Sequence, residues 1–190
     1  TALLASYGAE VIRVESTTNP DGIRNIYDPV PAGKSGLNVN GEFNKLNHSK
    51  MSITLNLNHP RAVQTVKRLI AVSDVVVDNF AGGVMKRWGL AYEELARVRP
   101  DIVVAAMPGM GLTGPHAGFR GFGADFQAVA GIDSVTGFPH RPPVGAGIAY
   151  PDFSCNPYHA AVAILAALHH RQKTGQGQFI ELRQHESIVC

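Results

Sequence analysis

The sequence places one carboxylate, Asp152, where it could act as a nucleophile. It follows a short apolar approach at residues 148–150 and precedes a long apolar helix predicted from Tyr158 onward. A carboxylate near a helix N-terminus is stabilised by the unpaired backbone amides there, so Asp152 as a structural N-cap is one interpretation. The other is a nucleophile or base, held where backbone amides also stabilise an oxyanion. The local sequence leaves both interpretations open.

The common motifs of nucleotide, metal and serine-hydrolase chemistry are missing from the sequence. It contains no G-x-x-x-x-G-K-[ST], no H-E-x-x-H and no G-x-S-x-G. The glycines of residues 118–123 lack the G-x-G-x-x-G spacing of a dinucleotide loop. His169 and His170 are adjacent on a predicted helix and so point in different directions, which makes them a poor metal pair. We therefore expect no metal and no permanently bound cofactor.

The elements that position Asp152 are predicted from an alternation of hydrophobic patterns. Short apolar or alternating runs predict strands at residues 9–15, 52–57, 74–78, 101–106 and 178–182. Amphipathic or apolar stretches predict helices at residues 58–70, 83–88, 92–98, 125–131 and 158–173. Strands that alternate with helices of these lengths are typical of an α/β protein with a doubly wound parallel sheet.

Three segments interrupt that alternation. Residues 16–45 are rich in Gly and Pro and are predicted to form one long loop, which a functional role or a covering partner would explain. Residues 107–123 are again rich in glycine and follow a strand, where open α/β sheets bind their ligands. The last residues, after Leu182, predict the start of another helix.

Composition limits the classes of protein and partner. The 190 residues are 45% apolar, and 17 Lys and Arg against 15 Asp and Glu give a net charge of +2. This balance excludes a disordered polyelectrolyte and gives no basic field for nucleic acid. The longest apolar run, at residues 160–168, is too short to cross a bilayer, so we expect no membrane partner. Two cysteines without framework spacing favour a reducing cytoplasm.

Five segments resemble motifs of the class III CoA-transferases (CaiB/BaiF type), the family that includes formyl-CoA transferase and carnitine CoA-transferase. They are GAEVIRVE at 8–15, LNHSKMSITLNL at 46–57, DNFAGGVMKRWGL at 78–90, GMGLTGP at 109–115, and ILAAL through TGQGQ at 164–178. They occur in family order and cover essentially the whole chain. Family members are about twice this length, so residues 1–190 are identified as a large domain truncated at both ends.

The resemblance implies a fold and a reaction. The fold would be a Rossmann-like doubly wound sheet in an interlocked homodimer, formed by two ring-shaped chains. The reaction would move CoA from an acyl-CoA donor to a carboxylic acid acceptor, through an aspartyl anhydride and an aspartyl-CoA thioester. Coenzyme A and acyl-CoA would be substrates. The family's aspartate falls at Asp152, with one extra residue near Asn156 and Pro157 before the helix.

The resemblance also implies CoA contacts. It points to Asn79 and Phe80 after the third strand, to Arg87 for a phosphate, and to Leu55 and Asn58 near the adenine and ribose. A guanidinium suits phosphate geometry. Some of these residues also have structural interpretations: Asn79 as a turn former, Phe80 as a core residue and Arg87 as a surface charge.

Two alternatives to transfer remain. Acyl-CoA racemases of the same fold use a His/Asp pair, and the resemblance places that histidine just before Asp125, where this chain has Ala124. Alanine is neither acid nor base, which argues against racemisation. The second alternative is a non-catalytic CoA-binding module that keeps the fold without turnover.

Overall fold

The computed structural model describes residues 1–26, 36, 38–147 and 149–190. The chain divides into two compact units, Thr1–Ala62 and Val63–Cys190, and each is described by itself. The prediction of one domain over residues 1–190 stays a prediction.

The first unit is built on a pair of parallel strands. Helix α1 (Ala2–Ser6) leads to β1 (Val11–Glu15), and the short helices α2 (Ile23–Ile26) and α3 (Gly41–Asn47) precede β2 (Lys50–Thr54). β1 and β2 pair in parallel, in a register that runs from Val11 opposite Lys50 to Glu15 opposite Thr54. The predicted strand at 52–57 therefore begins two residues earlier and ends before Leu55.

The predicted loop at residues 16–45 is only partly irregular, because α2 and α3 begin within it. α3 forms because the Asn40 side chain accepts a hydrogen bond from the Phe43 amide at 2.8 Å, which is an N-cap, and because Phe43 is buried. The Arg24 guanidinium lies 3.6 Å from the centre of the Phe43 ring and pairs with Glu15 at 2.9 Å. Residues 27–35 and 37, with Pro29, Val30, Pro31 and Gly33 of the prediction, lie outside the described residues.

The second unit contains a three-stranded parallel sheet in the order β3-β4-β5. Its strands are β3 (Val75–Asp78), β4 (Val103–Ala106) and β5 (Gln178–Glu181). The helices, in chain order, are α4 (Pro60–Ile70), which begins in the first unit, α5 (Val84–Arg87), α6 (Tyr92–Val98), α7 (Gly123–Val129) and α8 (Asn156–Thr174). The α/β class with parallel strands is thereby confirmed.

The core of this unit lies around the central strand. All four residues of β4 are buried, and Ile164 and Ala167 of α8 are 2% exposed. β3 was predicted to be buried on both faces, but it lies at the edge of the described sheet and is half-buried. Next to β5, a Cβ on Gly177 would lie 2.2 Å from the Ile102 carbonyl oxygen, so only glycine lets these backbones approach so closely.

Two segments near α8 depart from the sequence prediction. A π-helical turn, Pro151–Cys155, precedes α8, and the helix itself begins two residues before the predicted Tyr158. The predicted helix start after Leu182 is wrong: residues 184–188 form turns. The amides of Gln184 and His185 donate to the carbonyls of Pro108 and Gly109, at 3.1 and 3.2 Å, which ties the segment to the loop after β4.

Candidate active site around Asp152

A cavity of about 270 Å³ lies beyond the carboxyl ends of β3, β4 and β5. This is where open α/β sheets bind ligands and where the glycine-rich loop at 107–123 was predicted to do so. Its walls come from the residues that follow each strand, from that loop, from the start of α7 and from the turn before α8. The residues that line it include Asn79, Gly109, Gly123, Phe126, Asp152 and Gln184.

Asp152 lies in the cavity wall, on the π-helical turn Pro151–Cys155. Its side chain is accessible, yet the surrounding walls remove much of its water. This burial raises the pKa of the Asp152 carboxyl above its ordinary value, and a hydrogen bond from the Gly123 amide opposes part of the rise. The group is therefore a partly desolvated carboxylate that a ligand in the cavity can reach.

Asp152 does not cap the helix that follows it. α8 begins at Asn156, and neither that helix nor the π-helical turn has a side-chain capping bond. The Asp152 carboxylate instead lies against the backbone of Gly123, the first residue of α7. The N-cap interpretation is therefore wrong for α8, and the carboxylate has a backbone amide beside it.

Gly123 allows this contact because it has no side chain. A Cβ at this position would lie 2.3 Å from Oδ2 of Asp152 and 2.6 Å from its Cγ, distances that real atoms do not adopt. α7 is held at this place by the Asp125 carboxylate, which accepts from the Phe122 amide at 2.7 Å. The approach of Asp152 to a backbone amide thus depends on glycine at residue 123.

The glycine-rich loop after β4 is held by two further contacts. A Cβ on Gly109 would lie 1.9 Å from the Phe126 ring, so this ring packs directly on the Gly109 backbone. Oε1 of Glu181, at the end of β5, accepts from the Leu112 amide at 2.8 Å and from Arg183 Nε at 3.0 Å. These contacts fix the loop that forms one wall of the cavity.

Asn79 shares the cavity with Asp152. It follows β3, and its Oδ1 accepts a hydrogen bond from Gln184 Nε2 at 2.5 Å. Gln184 Nε2 also donates to the Met107 carbonyl at 2.7 Å, and its Oε1 accepts from Asn156 Nδ2 at 3.1 Å. Of the five predicted CoA contacts, Asn79 is the one that lines the cavity with Asp152.

Phe80 and Arg87 lie on the segment that follows Asn79. Phe80 is 43% exposed rather than a core residue, and its ring meets the edge of Trp88 at 5.4 Å and 83°. The Phe80 amide donates to Asp78 Oδ1 at 3.2 Å. Arg87 is exposed in the last turn of α5, and within the described part of the chain no carboxylate pairs with its guanidinium. Both side chains are available to a ligand.

Leu55 and Asn58 belong to the first unit. Leu55 is half-buried directly after β2, where its amide donates to the Glu15 carbonyl at 2.9 Å. Asn58 is exposed, and its amide donates to Asn56 Oδ1 at 3.1 Å. His59, rather than Asn58, directly precedes α4, and its ring Nδ1 accepts from the Arg61 amide.

The sequence did not identify three buried amides near the site: Gln127, Asn156 and Gln184, which are 3%, 2% and 6% exposed. Gln127 Oε1 accepts from the Tyr150 amide at 3.2 Å, just before the turn of Asp152. In the sequence, these three residues are marked only by being polar. That property does not distinguish a buried side-chain amide from an exposed one.

Two negative findings concern the residues that the structure describes. Across residues 1–26, 36, 38–147 and 149–190, no three His, Cys, Asp or Glu side chains are arranged to hold a metal ion. No helix in the same ranges has the length and apolar character needed to cross a membrane.

Comparison with known proteins gives one consistent family. The sequence profile described as CoA-transferase family III matches residues 1–190. The succinyl-CoA–D-citramalate CoA-transferase of Chloroflexus aurantiacus is 38% identical over 188 residues, covering 99% of this chain and 45% of that protein. The formyl-CoA:oxalate CoA-transferase of Afipia carboxidovorans is 35% identical over 189 residues, covering 100% of this chain and 43% of that protein. The chain thus spans less than half the length of these relatives.

Solved structures agree with the sequence matches. A CAIB/BAIF family protein from Brucella suis superposes with a TM-score of 0.88 at 33% identity, covering 98% of this chain and 49% of that one. A protein from Mycobacterium tuberculosis gives a TM-score of 0.85 at 28% identity, covering 99% of this chain and 51% of that one. The fold described above therefore matches about half of each of these longer solved chains.

Proposed function

Because the chain belongs to CoA-transferase family III, we propose that the full-length protein containing it is an enzyme that transfers CoA from an acyl-CoA to a carboxylic acid. The observation that supports this most directly is Asp152, an accessible and desolvated carboxylate in a cavity wall beside a backbone amide. Such a group has what a nucleophile needs: it is reachable, incompletely solvated and next to a fixed hydrogen-bond donor.

In the proposed reaction, an Asp152 carboxylate oxygen attacks the thioester carbonyl carbon of the acyl-CoA. A C–O bond forms, the C–S bond breaks, and CoA leaves as the thiolate, so the acyl group is held as a mixed anhydride with Asp152. An ionised carboxylate needs no base to remove a proton before it attacks. The raised pKa of Asp152 reflects weaker solvation of its charge, which makes the oxygen a better nucleophile once it is ionised.

The CoA thiolate then attacks the Asp152 carbonyl carbon. The donor acid leaves as its carboxylate, and CoA is held on Asp152 as a thioester. The acceptor carboxylate repeats the two steps in reverse order: it attacks this thioester, and the thiolate then attacks the acceptor's carbonyl in the new anhydride. Acyl-CoA of the acceptor is released and the Asp152 carboxylate is restored. Each step forms one bond to a carbonyl carbon and breaks one, so no atom changes its oxidation state.

The Gly123 amide is the candidate stabiliser of the charge that develops in these steps. The Gly123 backbone lies against the Asp152 carboxylate, and its amide opposes part of the rise in the pKa of Asp152, so it is close to the oxygens on which negative charge collects. Removing one preorganised donor of this kind costs about 10²–10³ in turnover in enzymes that depend on it. We assign CoA contacts to Asn79, Phe80, Arg87, Leu55 and Asn58, with the Arg87 guanidinium on a phosphate.

The assembly and location are part of the same proposal. We expect the interlocked homodimer that the family resemblance implies, with acyl-CoA and a free carboxylic acid as the substrates and CoA as a substrate rather than a permanent cofactor. A cytoplasmic location is supported by the free cysteines, Cys155 and Cys190.

The decisive experiment is to trap the covalent intermediate in the full-length protein. Incubation with a panel of acyl-CoAs, followed by intact-mass analysis and peptide mapping, should give a CoA adduct on Asp152. Asp152→Asn keeps the side-chain size and should abolish both the adduct and CoA exchange, with a loss of several orders of magnitude. The variant should melt near the wild-type temperature, because Asp152 does not cap α8.

The matched control is Asp125→Asn, which changes an aspartate in the first turn of α7, two residues after Gly123. Its side chain accepts from the Phe122 amide, a role that an amide oxygen fulfils, so we expect exchange to persist. Substantial exchange by Asp152→Asn that has not reverted to aspartate would end the proposal. Loss of activity in Asp125→Asn, together with α-proton exchange in the wild type, would instead favour racemisation.

A further inference from the structure

Gln184 links the residues on two sides of the cavity. Its side chain contacts Asn79 after β3, the Met107 carbonyl after β4 and Asn156 at the start of α8. We propose that Gln184 is a positioning residue: it turns the Asn79 carboxamide so that the N–H donors of Asn79, and not its oxygen, are offered to a carbonyl oxygen of bound CoA. The inference rests on the proposed function, in which Asn79 contacts CoA.

The orientation of both amides follows from the Met107 carbonyl. A backbone carbonyl only accepts hydrogen bonds, so the Gln184 atom that lies 2.7 Å from it must be the nitrogen. The same nitrogen contacts Asn79, and the atom it meets there must therefore be Oδ1. The Met107 carbonyl thus determines that the oxygen of the Asn79 side chain, and not its nitrogen, is bonded to Gln184.

The other end of Gln184 confirms this orientation. Its Oε1 accepts from Asn156 Nδ2 at 3.1 Å, and Asn156 Oδ1 accepts from the Ser187 hydroxyl. Reversing any one amide would place two oxygens or two N–H groups against each other. Gln184 and Asn156 are 6% and 2% exposed, so water is not at hand to replace a lost partner.

Asn79 is left with its nitrogen available at the cavity. Asn79 lines the cavity, its oxygen is bonded to Gln184, and in the described part of the chain no acceptor contacts its Nδ2. A ligand there meets N–H donors, which suit the amide and thioester carbonyl oxygens of an acyl-CoA. With the amide reversed, the same ligand would meet an oxygen and be repelled.

The test measures CoA affinity in the full-length protein, by calorimetry or equilibrium dialysis. Gln184→Met keeps the length of the side chain and removes both donors, which frees the Asn79 amide to turn. We expect the Kd for CoA to rise about three- to tenfold, as for one lost hydrogen bond. The KM for acyl-CoA should rise in parallel, while kcat changes less.

Gln184→Glu is the second variant, in case Gln184→Met folds poorly. It keeps the shape of the side chain and the acceptor for Asn156 but cannot donate to Asn79 as a carboxylate, so CoA binding should weaken at least as much. Gln178→Met is the matched control: Gln178 is exposed on β5, and its replacement should leave the Kd unchanged.

The coupling between the two residues separates positioning from a general structural role. Asn79→Ala alone should weaken CoA binding by about the same factor, and Gln184→Met should add nothing in the Asn79→Ala background. If the losses multiply, or if folded Gln184 variants bind CoA like the wild type, the inference is overturned. These binding measurements need no turnover, whereas the Asp152→Asn adduct experiment tests transfer itself, so the two proposals fail separately. A full-length protein that binds no CoA overturns both.

Discussion

At the scale of residues, the site depends on the absence of a side chain at Gly123 as much as on the carboxylate of Asp152. Asp152 lies against a main-chain amide because residue 123 has no Cβ to keep it away. Burial by the cavity walls raises the pKa of the Asp152 carboxyl, and the nearby Gly123 amide opposes part of this rise. The glycine at residue 123 therefore allows the position of the proposed nucleophile and contributes to its electrostatics.

Gly123→Ala tests this arrangement. The new methyl would overlap the Asp152 carboxylate, so the carboxylate must move by about 1 Å or more to restore normal contacts. We expect CoA exchange in the full-length protein to fall about 100-fold, since a misplacement of this size costs that much. CoA binding through Asn79 and Arg87 should change little, because the methyl does not meet those residues.

Gly118→Ala is the comparison for Gly123→Ala. Gly118 is exposed, and a Cβ there would meet nothing within 4 Å. Its exchange rate and melting temperature should match the wild type. A Gly123→Ala protein with the same rate as Gly118→Ala would show that Asp152 has room that the structure does not give it.

At the scale of elements, a group of ion pairs joins α8 to the amino ends of β3 and β4. Arg171 of α8 binds the Asp74 carboxylate at 2.8 Å and donates to the Asp74 carbonyl at 3.2 Å, and Arg99 binds the same carboxylate at 3.0 Å. The hydrogen bond and charge of Arg171 hold the pKa of Asp74 below its ordinary value. This group therefore holds α8 against the sheet at the end opposite the cavity.

In the full-length protein, Arg171→Gln should lower the Tm near pH 7 by about 2 °C at most, because Asp74 is largely exposed and its pairs are screened by water, so that they contribute about 1 kcal/mol or less. A lowered native pKa stabilises the fold above the unfolded pKa of about 4, and this contribution is lost as the pH falls through the native pKa. The difference in Tm between wild type and variant should therefore shrink as the pH falls below about 4.

Lys173→Gln removes a cation from the same turn of α8 and is the control, since Lys173 is exposed and is not part of the Asp74 group. It should melt like the wild type at every pH. An Arg171→Gln deficit that stays constant down to pH 3 would mean that Arg171 acts through packing rather than through the Asp74 charge.

The elements also show how far a sequence can be interpreted. β4 and α6 agree with prediction because a continuous apolar run and a 3.6-residue period each determine their own structure. α3 was missed because its cap and its buried Phe43 outweigh the glycines around them. The segment after Leu182 was wrongly predicted as helical because its turns depend on carbonyls more than 70 positions earlier, Pro108 and Gly109.

The site was predictable in the same uneven way. Asp152 and Asn79 follow from the family resemblance, and the structure brings both to one cavity. The amides of Gln127, Asn156 and Gln184 were not predictable, because a buried hydrogen bond between distant segments leaves no periodic signal in the sequence. The close approach of Asp152 to the Gly123 backbone was not predictable either, because it also joins residues that are distant in the sequence.

At the scale of the whole molecule, apolar side chains are exposed over much of the second unit. Phe122, Val135, Phe138, Val144 and Val162 are each at least 69% exposed. Exposed apolar surface of this extent normally marks an interface or causes aggregation. We predict that residues 1–190 produced alone self-associate and are inactive, whereas the full-length protein is a discrete dimer.

Size-exclusion chromatography with light scattering on both proteins checks this expectation, with CoA exchange measured alongside. Self-association of residues 1–190 should grow with concentration and should be reduced by Phe138→Asp, which places a charge among the exposed apolar side chains. Monomeric residues 1–190 that melt cooperatively and turn over acyl-CoA would contradict it.

The π-helical turn at Pro151–Cys155 has a consequence for how this chain tolerates changes in length. An α-helix advances about 100° per residue, so one residue inserted before α8 would rotate Ile164 out of the core. A π-helical turn holds one residue more than an α-helical turn, and so takes up such an insertion locally. The extra residue near Asn156 that the family resemblance indicates can therefore be accommodated with Ile164 still facing the sheet. The π-helical turn thus separates the position of Asp152 from the packing of α8, because a change in chain length between them is absorbed in the turn and does not rotate the buried face of the helix.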